Sequence, residues 1–238
     1  MFVSTTTSKE VFFCPEESDF YAYCLESLVL NICKGSNSIV EFGTGDGMPM
    51  IKALSKANFT VRVHGYELNK LACEVAKAKI AKAGLSQNFV LHNQCLFDSI
   101  KPPADYLVSN PPYLPARDNK LYQPLLHGGM DGITVTKKLL DLGYKNVMVL
   151  ASSYCNPVGL IEDAKSKGYL VANFTVSPLP FGEYSSEPKV RNRIAEMRES
   201  NQAFYSERLY LLAGVLFTKQ QKGVVDVSKE LLRILTAL

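Results

Sequence analysis

The sequence has no hydrophobic run long enough to cross a membrane. Its longest apolar stretches are Leu28–Ile32, Val147–Ala151 and Tyr210–Phe217, well short of the roughly 18 residues that a membrane helix needs. It also lacks a signal-peptide pattern, because Met1–Glu10 is polar and rich in threonine rather than basic and then apolar. These absences predict a cytoplasmic protein without a membrane partner.

The pattern of a structural metal site is missing as well. The six cysteines never occur as C-x-x-C, and the three histidines lie far apart in the chain. A structural zinc ion takes four such ligands at characteristic spacings, so no metal site is expected. Without a secretory context, the cysteines are expected to be reduced thiols that pack as small hydrophobic residues.

No charge of one sign dominates, and no segment repeats. The 26 basic and 23 acidic residues leave a net charge of +3, which by itself indicates neither a nucleic-acid nor an acidic-membrane partner. The absence of repeats and low-complexity tracts excludes solenoids and flexible linkers. With 47% hydrophobic residues in 238, the chain can build a sizeable core, and its length favours one domain.

Strand patterns and helix patterns alternate along most of the chain. The predicted strands are Ser38–Phe42, Val61–Glu67, Phe89–His92, Asp105–Ser109, Asn146–Ala151, Tyr169–Val176 and Glu207–Phe217. The predicted helices are Glu16–Cys33, Met48–Ala57, Asn69–Ala83, Asp131–Leu142, Val158–Lys167 and Ser228–Leu238. This order favours a parallel sheet with helices on both faces.

The end of the chain departs from the alternation. Pro178–Ser206 contains no obvious crossover helix, so a hairpin-like return is expected, which would make the last strand antiparallel. The final helix carries an apolar stripe that includes Leu231 and Leu235. One short stripe is no heptad array, so packing onto its own domain is favoured over a dimer seam.

A glycine-rich loop joins the first strand to the next helix. It runs from Glu41 to Gly47 as an acid followed by G-x-G-x-G. Glycines allow a tight turn and close approach to a ligand, and the helix N-terminus behind them offers free N–H groups. A dinucleotide fingerprint needs its third glycine at Met48, so a dehydrogenase is disfavoured. The pattern is typical of S-adenosylmethionine methyltransferases, with a plain tight turn as the alternative.

Glu67 strengthens the case for nucleotide-like binding. It ends the second strand, 24 residues beyond Gly43, where an acid can accept both ribose hydroxyls. The alternative is a solvated residue at a helix start, because Asn69 opens a helix directly afterwards. Glu41 is then expected near the methionine ammonium of the cofactor, for which a carboxylate is the suitable partner.

The run Asn110-Pro111-Pro112-Tyr113 follows the fourth strand, at the edge where open α/β sheets bind ligands. If the Asn110 side-chain oxygen and the Pro111 carbonyl each accept one N–H of an amide or aromatic amine, the nitrogen lone pair turns towards the sulfonium methyl. Tyr113 can stack on the planar group. The alternative is a proline-rich turn that ends in an anchoring tyrosine.

With these motifs in register, the chain resembles the HemK-like methyltransferases over roughly Phe12 to Phe217. Gln123–Gly132 is similar to a shortened form of that family's E-P-x-x-A-L-x-G-G-x-D-G stretch; the alternative for it is a glycine-rich loop capped by Asp131. Known members methylate the glutamine side-chain amide of release factors, and relatives methylate the exocyclic amine of adenine. The resemblance implies a Rossmann-like, doubly wound α/β sheet of seven strands, mostly parallel with the last strand antiparallel.

The resemblance also implies a site. The implied cofactor is S-adenosylmethionine, with S-adenosylhomocysteine as product and no metal. The implied cofactor-binding residues are Glu41, Gly43, Thr44, Gly45, Gly47, Glu67, Leu68, Cys95, Leu96 and Asn110. The implied catalytic residues are Asn110, Pro111 and Tyr113, and the implied substrate-binding residues are Pro112, Tyr113 and Tyr184.

The implied organisation is a single domain. Residues 1–35 form a helical segment that covers the active-site side, and residues 36–217 form the methyltransferase core, with an insertion at 180–206 before the last strand. Residues 218–238 form a C-terminal helix. Bacterial release-factor enzymes carry a separate N-terminal helical domain for docking, and the leading segment is too short for one of comparable size.

Three segments depart from the family pattern and leave the substrate open. Cys95 replaces the acid expected to recognise adenine, Gln123 replaces the acid of the E-P pair, and Val11–Asp19 only partly matches the E-P-x-E-D-T segment of archaeal and eukaryotic relatives. From Glu183 to Arg208, five basic and five acidic residues balance, as on a solvated charged helix, whereas an RNA enzyme should show a basic stripe.

The sequence therefore predicts an N-methyltransferase that acts on an amide, amine or guanidine nitrogen of a small molecule or of a protein glutamine. The alternatives are an adenine-amine methyltransferase of RNA or DNA and a non-catalytic module that binds S-adenosylmethionine. The sequence gives no indication of the oligomeric state.

Overall fold

The computed structural model describes residues 11–32, 38–221 and 223–238. Its seven strands form a mixed sheet in the order β3-β2-β1-β4-β5-β7-β6. The predicted Rossmann-like sheet, mostly parallel with an antiparallel last strand, is confirmed. The expectations for residues 1–10, for Cys33 and for a boundary near Ser36 lie outside the described residues.

The observed elements agree closely with the predicted alternation. The strands are β1 Ser38–Phe42, β2 Arg62–Tyr66, β3 Phe89–His92, β4 Tyr106–Ser109, β5 Asn146–Ser152, β6 Tyr169–Pro180 and β7 Leu209–Lys219. The helices are α1 Pro15–Cys24, α2 Met48–Leu54, α3 Lys70–Lys82, α4 Thr134–Asp141, α5 Pro157–Ser166, α6 Pro188–Glu199 and α7 Ser228–Leu235. Single 3₁₀ turns occupy Leu96–Asp98 and Pro124–Leu126.

The chain divides into two compact units, Met1–Ser109 and Asn110–Leu238. In the first unit, β1 pairs in parallel with β2 on one side and with β4 on the other, and β3 pairs in parallel with β2. The middle of β1, Ile39 to Glu41, is almost fully buried. That burial is typical of a parallel strand with both faces covered.

The leading helix begins at Pro15, whose fixed φ suits the first helical turn. After α1, the helix continues through one π-helical turn, Leu25–Leu30, so the predicted helix exists but changes its winding. Two ion pairs, Lys52 with Asp19 and Lys56 with Glu26, join the leading helix to α2 and its C-terminal end. Both pairs lie at the surface, where such contacts add little stability.

The second unit contains an antiparallel three-stranded arrangement. β7 lies between β5 and β6 and pairs antiparallel with both, with a bulge in β6 between Val171 and Asn173. On α7, Leu231 and Leu235 are buried, whereas Ile234 is 39% exposed. The apolar stripe of the last helix therefore packs within its own unit, as predicted.

The structure adds one helix that the sequence pattern did not reveal as a packed element. Within the predicted insertion, α6 buries Val190, Ile194 and Met197 on one face, at the spacing of an amphipathic helix. The many charged residues of α6 made this apolar stripe difficult to recognise in the sequence. Because α6 leads into an antiparallel strand rather than a parallel one, it does not change the predicted topology.

No helix among the described residues is both long and apolar enough to cross a membrane. The same described residues contain no group of three or more His, Cys, Asp or Glu side chains that could hold a metal ion.

Candidate functional site

The glycine loop of the first unit requires its glycines. Gly43, Gly45 and Gly47 have φ values of 72°, 57° and 76°, a region that other residues enter only with strain. The backbone N–H groups of Gly43 and Thr44 both donate to the Tyr66 carbonyl, at 2.9 and 3.2 Å. The loop is thus held against the end of β2, and Thr44 is buried within it.

Glu67 follows β2 and holds the loop from the other side. Its Oε2 accepts a hydrogen bond from the Gly45 N–H at 2.7 Å, and its Oε1 accepts from the Asn69 N–H at 2.7 Å. The residue is only 9% exposed, so it is not a solvated side chain. Asn69 itself caps α3, its side chain accepting from the Leu71 and Ala72 N–H groups.

The carboxyl group of Glu41, in β1, is almost completely buried. It is 1% exposed, and its Oε1 accepts a hydrogen bond from the Tyr21 hydroxyl at 3.2 Å. Its Oε2 is buried without a hydrogen-bond partner among the described residues. Burial raises the pKa of Glu41 to about 8, against the smaller opposing effects of the Thr44 and Tyr21 hydroxyl groups.

The end of β3 contributes the remaining predicted cofactor residues of this unit. Asn93 donates from its side-chain amide to the Glu67 carbonyl at 2.8 Å. Cys95 precedes the 3₁₀ turn, Leu96 is buried within it, and Leu68 is 53% exposed. Cys95 supplies no carboxylate, and the Asn93 side-chain amide is held at this edge by the Glu67 and Leu68 carbonyls.

These residues fit S-adenosylmethionine. The cofactor offers an ammonium group, and the buried Glu41 Oε2 is an acceptor that lacks a partner among the described residues. It also offers two ribose hydroxyls, and each Glu67 oxygen has a second lone pair to accept one. Glu41, the loop and Glu67 all lie at the carboxyl ends of adjacent parallel strands, the ligand-binding edge of such sheets.

The Asn-Pro-Pro-Tyr turn begins the second unit, directly after β4 in the chain. Asn110 is partly exposed, whereas Pro111 and Tyr113 are buried. The turn is supported by the segment that was predicted to match the family's glycine-rich stretch. The Leu114 N–H donates to the Leu126 carbonyl at 3.0 Å, and the Gly128 N–H donates to the Leu114 carbonyl at 2.9 Å.

Two glycines of that stretch allow the support to come close. A Cβ on Gly128 would lie 2.5 Å from the Tyr113 Cα, and one on Gly132 would lie 2.6 Å from the Tyr113 carbonyl oxygen. No side chain fits at either distance. The predicted helix start at Asp131 and its capping by that residue are wrong: α4 begins at Thr134 after Ile133 without a side-chain cap, and Asp131 Oδ1 accepts from the Ile133 N–H only at a long 3.4 Å.

Sequence reasoning missed Cys155 and Asn156, which hold the same turn. The Cys155 thiol donates to the Tyr113 carbonyl at 3.0 Å. Asn156 takes a left-handed conformation with φ 43°, and its side-chain amide donates to Asp131 Oδ2 at 3.2 Å. The only sequence signal was an asparagine before the proline at the start of α5.

Tyr113 belongs to a cluster of aromatic rings in the second unit, the Tyr113–Tyr210 cluster. Its members are Tyr113, Tyr154, Phe181, Tyr205 and Tyr210. Tyr113 and Tyr154 have ring centroids 6.0 Å apart, and Tyr154 and Phe181 are 5.7 Å apart. The other two predicted substrate residues are partly exposed: Pro112 lies in the Asn-Pro-Pro-Tyr turn, and Tyr184 lies in the turn before α6.

Comparison with known proteins identifies a family. The family model described as "methyltransferase small domain" matches residues 5–140, which is more than half of the chain.

Curated relatives match a smaller region. A release factor glutamine methyltransferase of Gloeobacter violaceus is 30% identical over 118 residues, covering 45% of this chain and 41% of that protein. A ribosomal protein uL3 glutamine methyltransferase of Neisseria gonorrhoeae is 30% identical over 124 residues, covering 48% of this chain and 39% of that protein. The matched region thus spans about two fifths of these relatives' own lengths.

Solved structures share the fold at low sequence identity. TYW2 of M. jannaschii, solved in complex with AdoMet, has a TM-score of 0.51 and 13% identity, covering 91% of this chain and 79% of that one. The ribosomal protein L11 methylase of Lactobacillus delbrueckii subsp. bulgaricus has a TM-score of 0.52 and 12% identity, covering 87% of this chain and 81% of that one.

Proposed function

The chain belongs to the methyltransferase small domain family, and on that premise we propose that it is an S-adenosylmethionine-dependent methyltransferase that modifies a planar nitrogen. The acceptor that the relatives favour is the side-chain amide of a protein glutamine. The observation that supports this most directly is the Asn110–Tyr113 turn, which follows β4 and whose C-terminal end is hydrogen-bonded to Cys155 and adjoins the glycine-rich stretch.

The first unit would hold the cofactor. Glu41 would accept the ammonium group, and Glu67 would accept the ribose hydroxyls, while the glycine loop keeps the backbone clear of side chains. When bound, S-adenosylmethionine supplies a methyl group on a positively charged sulfur. The buried position of Glu41 strengthens its attraction to an ammonium group, because a low-dielectric site screens charge weakly.

The turn would hold the acceptor nitrogen. An amide nitrogen is a poor nucleophile because its lone pair is delocalised. The Asn110 side-chain oxygen and the Pro111 carbonyl are suited to accept its two N–H groups, which orients the lone pair for attack. No general base is needed before attack, since the nitrogen loses its proton only after it has become positively charged.

The relatives support the acceptor class. Two of them are described as glutamine methyltransferases of a release factor and of ribosomal protein uL3. The balanced charge of residues 183–208 also favours a protein over RNA, because RNA affinity depends on many phosphate contacts. The altered residues Cys95 and Gln123 leave the individual protein substrate open.

The Asn110→Ala variant tests the catalytic assignment. Removing an acceptor aimed at the reacting nitrogen should cost about 2–4 kcal/mol of transition-state stabilisation, a fall of roughly 30- to 1000-fold in kcat/KM. Transfer of labelled methyl groups measures it. The matched control is Asn58→Ala, at an exposed position in the loop between α2 and β2, which should keep full activity. An active enzyme with unchanged Asn110→Ala kinetics would refute the role.

A second experiment separates the acceptor classes. The purified protein and labelled S-adenosylmethionine are incubated in parallel with release factor, total ribosomal protein, total RNA and a metabolite extract. We expect label in a protein fraction, released by complete proteolytic digestion as methylated glutamine and by acid hydrolysis as methylamine. Label in RNA would support the adenine-amine alternative, and cofactor binding without any transfer would support a non-catalytic module.

A further inference from the structure

Two arginines of α6 rest on the aromatic cluster. The Arg191 guanidinium carbon lies 3.9 Å from the Phe181 ring centroid and 5.0 Å from that of Tyr205. The Arg198 guanidinium carbon lies 4.6 Å from the same Tyr205 ring. All three contacts are cation–π interactions, in which the ring faces attract positive charge.

Neither guanidinium has an acidic partner in the part of the chain that the structure describes. Arg191 Nη1 is buried and donates no hydrogen bond to any described residue. A buried N–H group without an acceptor is destabilising, and two positive charges on one ring repel each other. An anionic oxygen ligand at Arg191 would remove both penalties.

The planar fork of a guanidinium matches the two oxygens of a carboxylate. Polar contacts also hold α6 firmly against the segment that follows the Asn-Pro-Pro-Tyr turn. These contacts are Arg193 Nε to the Met130 carbonyl at 2.8 Å, Arg117 to Glu196 at 3.1 Å, Lys189 to Asp118 at 2.8 Å, and the Tyr122 N–H to Glu187 Oε2 at 2.9 Å. Arg191 is therefore presented from a fixed helix.

The aromatic rings connect this arginine to the turn. Arg191 packs on Phe181, Phe181 on Tyr154, and Tyr154 on Tyr113 of the Asn-Pro-Pro-Tyr sequence. We propose that Arg191, assisted by Arg198, is a substrate-specificity site that binds a carboxylate of the methyl acceptor. This inference rests on the proposed function and adds to it: the acceptor carries an acidic group in addition to its planar nitrogen.

A carboxylate fits better than a phosphate chain. Residues 183–208 carry five acids and five bases, and Glu187 and Glu196 lie on or next to α6 itself. A nucleic acid would meet these acids along its backbone, whereas one carboxylate needs only the two unpaired arginines. The carboxylate can come from the end of a peptide or small molecule, or from an acidic side chain beside the modified residue.

Binding measurements test the inference without relying on turnover. The first probe pair is N-acetylglutamine and its neutral α-amide; the second is N-acetyl-Gln-Asp-amide and N-acetyl-Gln-Asn-amide. Both are titrated into the ¹⁵N-labelled protein saturated with S-adenosylhomocysteine, and the side-chain Nε–H signal of Arg191 is followed. Its assignment comes from its loss in Arg191→Lys.

We expect the acidic member of one pair to shift the Arg191 signal and to bind about tenfold more tightly than its neutral partner. The pair that discriminates identifies the source of the carboxylate. Arg191→Gln should abolish the discrimination. The control Arg233→Gln, at an exposed arginine of α7, should retain it. Arg191→Gln should also keep its affinity for S-adenosylhomocysteine, which verifies the fold.

Four results would each overturn the inference. They are equal binding of acidic and neutral probes, binding of no probe, discrimination that survives Arg191→Gln, and a shift of the Arg191 signal by an RNA oligonucleotide instead of by the probes. Methyl transfer is a separate measurement. Selective carboxylate binding in a protein that transfers no methyl group would refute only the proposed function.

Discussion

In the ligand-free protein, the position of Glu41 favours binding of a cation, whereas its burial disfavours its own charged form. Its position at the end of β1 suits a cation, yet burial makes its charged form costly and raises its pKa to about 8. Tyr21, whose own pKa burial raises well above its usual value, keeps its proton and donates a hydrogen bond to Glu41 Oε1. The carboxyl group is therefore mostly protonated at neutral pH until a cation arrives.

This state predicts that cofactor binding releases a proton. Between pH 6 and 7.5, an ammonium group entering beside Glu41 should drive the carboxyl group to ionise, so affinity should rise up to tenfold for each pH unit. Calorimetry with S-adenosylhomocysteine in buffers of different ionisation enthalpy counts the proton. Glu41→Gln should bind more weakly and release none. Proton release equal to that of the wild type in this variant would contradict the prediction.

At the scale of elements, the glycine-rich stretch determines the shape of the Asn-Pro-Pro-Tyr turn. It contacts the backbone of the turn, because Gly128 and Gly132 allow the chain to touch the Tyr113 backbone. A family pattern found by resemblance thus has a direct packing explanation. Each of the two segments that support the turn lies just before a helix. The glycine-rich stretch precedes α4, which begins at Thr134, and Cys155 and Asn156 precede α5, which begins at Pro157.

Gly132→Ala tests that explanation. The added Cβ would meet the Tyr113 carbonyl oxygen and the Cys155 sulfur, both at 2.6 Å, which should cost about 1–3 kcal/mol of unfolding free energy beyond the backbone strain. The matched control is Gly143→Ala, with a similar φ of 70° but no atom within 4 Å of the new Cβ. Urea unfolding and methyl transfer measure both variants.

Gly132→Ala should lose methyl transfer while it keeps S-adenosylhomocysteine binding, because only the turn is displaced. Gly143→Ala should lose about 1 kcal/mol of stability and remain active. Equal costs and equal activities in the two variants would mean that the close contact is unimportant.

The neighbouring strands β2 and β3 carry a histidine pair. His64 Nδ1 and His92 Nε2 are 3.2 Å apart, and the His92 ring stacks on Tyr66. Burial lowers the pKa of both histidines, with Arg62 adding to the effect at His64 and His64 adding to it at His92. Two neighbouring imidazoles share one hydrogen bond only when at least one of them is neutral.

The pair predicts an acid-sensitive stability. A histidine whose pKa is lower in the folded state takes up its proton later than in the unfolded chain, so the unfolded state binds more protons as the pH falls below about 6.5. The melting temperature should therefore fall between pH 7 and pH 5. In the double variant His64→Gln, His92→Gln, that part of the pH dependence should vanish. An identical slope in both proteins would exclude the pair as its cause.

At the scale of the whole molecule, the two units contain different halves of the proposed chemistry. The predicted cofactor residues other than Asn110 belong to Met1–Ser109, whereas the turn, the aromatic cluster and α6 belong to Asn110–Leu238. The family model covers residues 5–140, which includes the first unit and the start of the second. The residues we infer to select the acceptor lie beyond the matched range.

Thermal unfolding of the whole protein tests the cofactor class. S-adenosylhomocysteine at 100 times its dissociation constant should stabilise the fold by about 2.7 kcal/mol, which raises the melting temperature by roughly 5–10 °C in a chain of this size. Glu67→Ala should reduce this shift. NADH serves as the control ligand and should give no shift. A rise in melting temperature with NADH alone would support the dehydrogenase alternative that Met48 disfavours.

Local residue patterns were sufficient to predict the alternation of strands and helices and the main motifs. Buried parallel strands are continuous apolar runs, and glycines with positive φ mark loop positions that no other residue adopts easily, so both features can be read locally. Asn69 at a helix start and the apolar stripe of α7 are local in the same sense. The cofactor residues could be proposed from the sequence in the same way, because chain order places them after consecutive parallel strands.

Only the tertiary structure revealed the contacts between distant segments. The bond from Cys155 to the Tyr113 carbonyl spans 42 residues, and no periodicity predicts it. The packing of Arg191 on Phe181 and Tyr205, the burial of Glu41 beneath Tyr21, and the stripe hidden on the charged helix α6 likewise depend on how separate elements meet. The sequence by itself determined the elements, their order and the motif residues, since these are properties of neighbouring residues; the arrangement that we infer to select the acceptor was decided by packing, since it depends on residues far apart in the chain.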